Sequence, residues 1–525
     1  MDILQLNLSK TEPDRASEDE VRFQVALLGA IACAGAGVLA RFLFDAPLVP
    51  ELMAHFVFAV APIVIVEIAV GFLGTFAKHM GFLACVVIYV LALTAAAKAF
   101  LLYGVPRFKT INRRVLLFSF SLLVWAVTVV VLIPVLGGGI FGLYLRQGVV
   151  ITLISSFVVH VIYGATLVLV SRLYAERPDV AAANNTRLSR RRVMRAVGYS
   201  VLAIGAYDIG KTLLGTWLKK GAGRVKAGNG VFPELEGLAL EVTPVADFYE
   251  VSKNPFDPQV DHKSWRLNIS GLVDRPFSLT YQEIKALPSV EQYTTLCCIS
   301  NDVGGNLIGN ALWRGVRLKD LLEKAGVKPE AVDIVLRARD DYSDSIPVAK
   351  AMAEGNVLVY EMNGEPLTVS HGSPVRLIVP GIYGKKNVKW ITGIEAVNYD
   401  YLGFWQNRGW DDRAVYKTLS RIDAPEGTVG ESATIAGIAF AGDRGITKVE
   451  VSTDGGKTWE QAEIKPALSQ YSWVLWHKEW NPAYSGRHLI KVRATDGTGT
   501  TQTAGYSSPY PNGSSGYDSK EVSSE

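Results

Sequence analysis

The sequence predicts a multi-domain chain made of an α-helical membrane bundle, a mixed α+β domain and an immunoglobulin-like β-sandwich. Three observations predict it. Apolar runs of about the length a ~30 Å hydrocarbon layer requires, roughly 20 residues each, crowd the first 220 residues. Strand-like and helical periodicities then alternate to about residue 420, and a period-two pattern with tight-turn dipeptides fills the rest. At 525 residues the chain is long enough for several units, and its formal net charge of +3 is the average of two very different halves.

A tail (1–20) precedes a membrane domain of six helices (21–218), with spans at 24–43, 52–76, 82–104, 114–136, 148–172 and 194–218. Loops rich in Lys and Arg stay in the cytoplasm. Arg107, Lys109, Arg113 and Arg114 lie between spans three and four, and Arg187, Arg190, Arg191, Arg192 and Arg195 precede span six. Both loops face the cytoplasm if the N-terminus is outside, and an even number of spans then places everything after 218 outside as well. Ser189–Arg195 also resembles a twin-arginine export signal, a route for folded proteins. The alternative is a basic cluster that only anchors the last span.

Charges inside spans are costly, and Glu67, Lys98, Asp208 and Lys211 fall there. Glu67 and Asp208 lie at similar depth, and Asp208 and Lys211 are one turn apart, so a structural ion-pair cluster competes with a proton or quinone site. Lys98 can instead reach towards the inner surface. A membrane haem needs two histidines at matched depth. His55, His79 and His160 supply no convincing pair, and the lack of a Cys-x-x-Cys-His run excludes covalent haem.

Residues 219–240, rich in Gly, Lys and Arg, read as a polar linker. In the α+β domain (241–420), Trp265–Ile269 and Val375–Val379 are strand-like and Leu318–Ala325 is helical. In the sandwich (421–508), Ala433–Phe440, Ile446–Ser452, Ser472–Lys478 and His488–Ala494 alternate apolar with polar residues. Asp454–Gly456 and Asp496–Gly497 supply turns. The Ser, Gly and Tyr content of the end (509–525) predicts an irregular tail.

Two runs carry chemistry. Thr295-Leu-Cys-Cys-Ile-Ser-Asn301 offers a soft thiolate for a metal. His371–Arg376 leads into Val379-Pro-Gly-Ile-Tyr-Gly-Lys-Lys-Asn-Val-Lys-Trp390, which offers an imidazole, a guanidinium, an ammonium and glycine-rich backbone for a phosphorylated ligand. Cys33 and Cys85 lie in spans, where thiols are usually packing residues. A disulfide between the adjacent Cys297 and Cys298 would be strained and close almost no loop, and no closely spaced histidine pair follows to complete a zinc site. One cysteine as a lone thiolate ligand, the other as packing, fits better.

Cys298-Ile-Ser-Asn301 resembles the Cys-x-x-Asn element of the sulfite oxidase superfamily, molybdenum enzymes that carry one pyranopterin. The resemblance extends through Trp313–Val316, Asp341–Pro347, Tyr360–Gly364, His371–Trp390, Asp454–Trp459 and Val492–Gly497, and so covers about 240–505. It implies a sulfite oxidase fold for the α+β domain and a dimerisation-type domain after it, hence a homodimer.

The resemblance also implies site roles. Cys298 would ligate molybdenum beside the two sulfurs of molybdopterin. Arg376, Lys389 and the backbone about Asn387 and Val388 would meet the pterin phosphate. His371, Tyr249, Glu250 and, more weakly, Asp341 would make further cofactor contacts. Substrate-binding positions depart from the family: Val303 and Trp410 stand where sulfite oxidases carry an arginine and a tyrosine, and Arg408 substitutes only in part. Sulfite oxidation is weakened accordingly, and reduction of S-oxides stays open. The implied reaction is oxygen-atom transfer coupled to two-electron transfer, the electrons exchanging with a separate protein or a quinone. The expected partners are a small-molecule substrate, membrane lipid and no nucleic acid. The competing class is a tethered binding or assembly protein with a degenerate pterin fold.

Overall fold

The computed structural model describes residues 12–61, 76–175 (without 109, 144 and 146) and 235–525 (without 255 and 256). They fall in two compact units, one up to residue 175 that also takes in Asn254, and one made of the other residues from 235 on. Glu67, Asp208 and Lys211, the twin-arginine-like run and the sixth span lie outside the described residues.

The first unit is helical: α1 (Glu12–Phe44), α2 (Val49–Val60), α3 (Phe76–Ala99), α4 (Arg113–Val127) and α5 (Gly148–Ala175). Among the described residues four segments are long and apolar enough to cross a membrane: Glu18–Phe44, Met80–Arg107, Arg113–Val135 and Gly148–Tyr174. The shortest has 23 residues, about 35 Å of helix at 1.5 Å per residue. Small residues let these helices approach closely. Ala26, Ala30 and Cys33 of α1 are fully buried, and a Cβ at Gly29 would come within 2.6 Å of Leu167 on α5. Lys98 pairs with Asp19 at 2.8 Å, helix end to helix end.

Two expectations are corrected here. The N-terminal tail is already helical from Glu12. The apolar run 52–76 is not one uninterrupted helix: α2 stops at Val60 and Ala61 is extended, because the residue before Pro62 is pushed out of the helical region.

The second unit carries four sheets. Strands β1 (Arg266–Gly271), β2 (Phe277–Thr280), β5 (Asp333–Ala338), β6 (Ser343–Pro347) and β10 (Ile391–Val397) form the first, in the order β2-β1-β10-β5-β6. β1 and β10 run parallel and the other pairs antiparallel. α6 (Tyr281–Ala286) starts on a capping box between Thr280 and Glu283. α7 (Leu318–Ala325) buries Leu318, Leu321, Leu322 and Ala325, the one-face spacing of an amphipathic helix. The second sheet joins β3 (Val290–Cys297), β4 (Ile308–Arg317), β7 (Val357–Met362), β8 (Glu365–Pro366) and β9 (Arg376–Ile378), with β9 pairing β7.

The C-terminal part has a four-stranded sheet, β11 (Leu419–Ala424), β13 (Ala433–Phe440), β17 (Val474–Trp480) and β16 (Glu463–Ile464). A five-stranded sheet follows, β12 (Thr428–Val429), β19 (Asp518–Ser524), β18 (Gly486–Asp496), β14 (Ile446–Ser452) and β15 (Glu460–Gln461). Ile435, Trp476, Val449, Ile490 and Val492 bring both sheets into one core. The chain end corrects a third expectation. Residues 518–524 are a strand paired with β18 over its whole length and with β12 at its end. Only Val522 is apolar and buried there, so the strand rests on backbone pairing, which composition does not display.

Candidate active site

β3 delivers Cys297 and Cys298 to the end of the second sheet, where the chain turns back into β4. Cys298 N–H donates to Leu307 O at 2.9 Å and Asn301 N–H to Cys298 O at 3.0 Å. The Asn301 side chain accepts from Leu307 N–H at 2.8 Å. The asparagine thus clamps the turn that presents the thiol. Cys298 is buried with its sulfur 3.0 Å from Ser300 Oγ, and burial pushes the thiol above its ordinary range. A metal cation reverses that preference, because coordination deprotonates a thiol outright. Cys297 packs among Ile299, Ile308, Tyr383 and Tyr416, and all four cysteines are free.

The second run folds on itself through Asn387. Its side chain accepts from Val379 N–H at 2.6 Å and donates to Ile382 O and Tyr383 O, leaving the backbone carbonyl to accept from Arg376 Nη2 at 3.1 Å. Val388 is core. Gly372, with φ of +105°, lets this loop lie against Lys389, since a Cβ there would sit 3.0 Å from the Cβ atoms of Arg376 and Lys389. Lys389 donates to Ser370 O at 2.9 Å and lies 4.4 Å from the Trp390 ring.

Arg376 is the unusual group. It is buried, gives Nη1 to His371 O at 3.2 Å, and stands 5.3 Å from the Trp313 ring. Its Nε has no partner among the described residues, and no carboxylate pairs with it there. Burial pulls the guanidinium down to about 10, opposed by Tyr249 and Tyr416. A buried cation without an anion is costly, so this position suits an anionic ligand.

His371 is buried, with Nε2 3.0 Å from Val245 O and its ring edge-on to Phe248. Burial, more than any neighbouring charge, holds it below its ordinary value. Tyr249 stacks on Phe248 and feels both Cys298 and Arg376 electrostatically, which joins the two runs at one place. Glu250 accepts from Ser370 Oγ at 2.7 Å at the exposed edge. Asp341 stands outside the buried cluster, exposed at a left-handed turn position (φ +62°) between β5 and β6.

Arg408 and Trp410 flank Gly409 after a 3₁₀ turn, Gln406–Arg408. The Arg408 guanidinium lies 3.6 Å from the Phe404 ring centroid and donates to Phe404 O at 2.6 Å. Arg408 Nε and Trp410 Nε1 are buried without partners among the described residues. Trp410 packs against the cluster that holds Cys297 and Ile299. A small cleft next to Cys297 is lined by Cys297, Asn301, Val303, Tyr383, Lys417 and Arg421 among others.

Two features escaped the sequence reading. The Lys385–Lys386 pair is buried: Lys386 Nζ meets Asp344 at 2.9 Å, Ser345 O at 2.7 Å and Asp412 at 3.0 Å. Lys385 donates to Asp411 O at 2.6 Å, and burial pulls it down to about 8. The signal was Asp344 inside the quoted run 341–347, three residues beyond the aspartate singled out. The second is the C-terminal segment. Tyr510 lies edge-on to Trp410 at 5.3 Å, Asp411 N–H donates to Pro511 O at 3.0 Å, and Ser514 Oγ donates to Asn301 O at 2.8 Å. No periodicity announces such contacts.

Residues 254–405 match the family described as oxidoreductase molybdopterin binding domain, and residues 419–508 the Mo-co oxidoreductase dimerisation domain. The uncharacterized oxidoreductase YuiH of Bacillus subtilis (strain 168) is 38% identical over 153 residues, covering 29% of this chain and 75% of that protein. The sulfite oxidase of Arabidopsis thaliana is 32% identical over 307 residues, covering 46% of this chain and 78% of the relative. Among solved structures, the sulfane dehydrogenase SoxCD from Paracoccus pantotrophus aligns with a TM-score of 0.49 at 27% identity, over 55% of this chain and 82% of that chain. With a buried thiol and an unpaired buried guanidinium that suit a metal and a phosphorylated pterin, the chain belongs to the sulfite oxidase superfamily and is a molybdenum oxidoreductase that uses the molybdenum–molybdopterin cofactor.

Proposed function

We propose that the chain is a membrane-anchored, extracytoplasmic oxidoreductase that removes the oxygen atom from a neutral S-oxide, consuming two electrons and two protons and releasing sulfide and water. The observation that supports the substrate class is the pair of buried donors without a partner among the described residues, Trp410 Nε1 and Arg408 Nε, together with Val303 at the position where a dianion would need a guanidinium. A neutral S=O oxygen needs one or two such donors and no ion pair.

In this reading Cys298 ligates molybdenum. Arg376, Lys389 and the Asn387–Val388 backbone hold the pterin phosphate, while His371, Tyr249, Glu250 and, at the rim, Asp341 make further cofactor contacts. When bound, this cofactor supplies the oxygen-atom exchange and the two-electron change. Asn301 fixes the loop that presents the thiol, and Trp410 and Arg408 orient the substrate. The half-exposed Arg408, with no carboxylate partner among the described residues, supports sulfite oxidation as the second reading.

The four apolar segments and the arginine-rich loops support the membrane anchor and the outward placement of the catalytic part. Residues 241–420 then form the cofactor domain and 421–508 an immunoglobulin-like domain that mediates a homodimer. Electrons come from a separate electron-transfer protein or from a quinol.

Sulfite and methyl sulfoxides assayed on one detergent-purified preparation test the substrate. Sulfoxide turnover that disappears in Cys298→Ser supports the reading, and sulfite turnover alone overturns it. A reporter fused after Glu525 that proves cytoplasmic would overturn the orientation.

A further inference from the structure

Between β18 and β19 the chain makes a short hairpin, residues 507–515, closed by Ser507 N–H on Ser515 O at 3.0 Å and Ser515 N–H on Ser507 O at 3.2 Å. One side of it is tied to the loop that presents the thiol. Ser514 Oγ donates to Asn301 O at 2.8 Å, and Asn301 clamps the turn of Cys298. Lys417 Nζ adds bonds to Asn512 Oδ1 at 3.1 Å and Gly513 O at 2.5 Å.

The same hairpin meets Trp410. Asp411 N–H donates to Pro511 O at 3.0 Å, and the Tyr510 ring stands edge-on to the indole, with centroids 5.3 Å apart and planes at 85°. The fit is close: Gly409 has φ of +87°, and a Cβ there would collide with Tyr510 Oη, so glycine leaves the room the phenol takes. Pro509 and Pro511 flank Tyr510, and each ring fixes its own φ, which stiffens the backbone that carries the phenol. Trp410 Nε1 makes no hydrogen bond among the described residues. The direction of that N–H is therefore set by packing, in which Tyr510 and, at 6.4 Å, Trp405 supply the edge-on ring contacts. Direction matters, because a hydrogen bond weakens steeply as it bends.

We infer that Tyr510 is a positioning residue for the substrate: its ring edge fixes the direction of the Trp410 indole N–H, and hairpin 507–515 ties that direction to the loop that presents Cys298. The inference deepens the proposed function and rests on its reading that Trp410 meets the substrate. A donor carried on a loop needs such support, since a displacement of about 1 Å can cost up to ~10²-fold in rate. Tyr510 acts through Trp410 and touches neither substrate nor cofactor in this reading.

The test is steady-state turnover of a methyl sulfoxide by the full-length, detergent-purified holoenzyme with reduced methyl viologen, rates expressed per molybdenum. Tyr510→Leu, which keeps apolar bulk and removes the ring edge, should lower kcat/KM at least about tenfold, one misdirected hydrogen bond's worth. Tyr510→Phe, which keeps the ring, should restore most of it. Trp410→Phe has no N–H left to direct, so adding Tyr510→Leu to it should cost less than about twofold more, the non-additivity of two residues that act as one. Unchanged kcat/KM in Tyr510→Leu overturns the inference, and so do losses that multiply in the double variant, as a merely structural role would give. Should Tyr510→Leu fail to fold, Gly409→Ala disturbs the contact from the other side: Tyr510→Phe, which lacks the oxygen its methyl strikes, should recover part of the loss, and no recovery overturns the inference. Trp410→Phe separates the two readings. Wild-type kcat/KM there sinks the substrate role of Trp410 and this inference with it, whereas a loss there with none in Tyr510→Leu sinks the inference alone. If the wild type turns over sulfite and no sulfoxide, the proposed substrate falls and the same variants are compared on sulfite.

Discussion

The ammonium of Lys386 stands 2.9 Å from the carboxylate of Asp344, the two side chains 3% and 0% exposed. Asp344 also receives Tyr342 Oη at 3.0 Å and Gln406 Nε2, while Asp412 contacts the same ammonium from a more open position. The pair fastens the loop 383–387 to β6. Breaking a buried pair by removing one partner typically costs 3–5 kcal/mol because the other charge stays buried. Lys386→Met should therefore lose about 4 kcal/mol, and the double variant Lys386→Met/Asp344→Leu should recover most of it. Denaturant unfolding of the four species gives the coupling energy, and additive losses would show the pair to be energetically idle.

Arg376 predicts the opposite pattern. Its guanidinium is buried with no carboxylate among the described residues, so the apoprotein bears the cost of that charge. Arg376→Met should leave the apoprotein as stable as the wild type or about 1 kcal/mol more stable, while the molybdenum content of the purified protein falls to about a tenth, as the loss of a charge-assisted pair to a phosphate implies. Metal analysis and thermal unfolding on one preparation check both. Loss of stability with molybdenum retained would assign Arg376 to the fold.

What was legible in the sequence follows from how each feature is encoded. Helix 318–325 coincides with the period that predicts it, because one buried face writes its spacing directly into the chain; strand 433–440 forms where it is expected but is buried on both faces from Ile435 on. Cys298 and Arg376 were singled out through chemistry, a soft ligand and an anion partner in short runs, and both are buried in the second unit. Asp344 and Lys386 were not, because burial of an ion pair depends on segments more than 40 residues apart. β19 was hidden for a related reason: its partners are backbone atoms of β18 and β12, and backbone pairing is blind to composition.

Val303 puts an uncharged side chain in the cleft, and its replacement should redirect substrate choice. Val303→Arg introduces a guanidinium beside Asn301 in the cleft that also holds Lys417 and Arg421. The ratio of kcat/KM for sulfite to that for a methyl sulfoxide should rise at least about tenfold, since a bidentate partner favours the dianion. Trp410→Phe, which removes the unpartnered indole N–H, should lower sulfoxide kcat/KM about tenfold, one hydrogen bond's worth, and leave the pterin retained. An unchanged ratio in Val303→Arg would mean that substrate enters elsewhere.

Acid should loosen the second unit through Asp496. Its carboxylate accepts from Arg444 Nε at 2.8 Å, Thr418 Oγ1 at 3.0 Å, Thr498 Oγ1 at 2.6 Å and Thr500 N–H at 3.1 Å. Burial alone would push it up, but these donors hold it well below the usual carboxylate range. A depressed value contributes stability that is complete above the unfolded-state value of about 3.9 and fades as pH falls below it. Asp496→Asn should cost about 2 kcal/mol at pH 7, and the wild type should approach the variant as pH drops below about 4. The effect should reach the active site. Arg444 Nη2 also donates to Tyr416 O at 3.0 Å, and Tyr416 Oη accepts from Cys297 N–H at 3.0 Å, next to the thiol. Urea midpoints across pH 3–7, read beside molybdenum retention, measure both. Parallel pH curves for wild type and variant would remove Asp496 from the acid response.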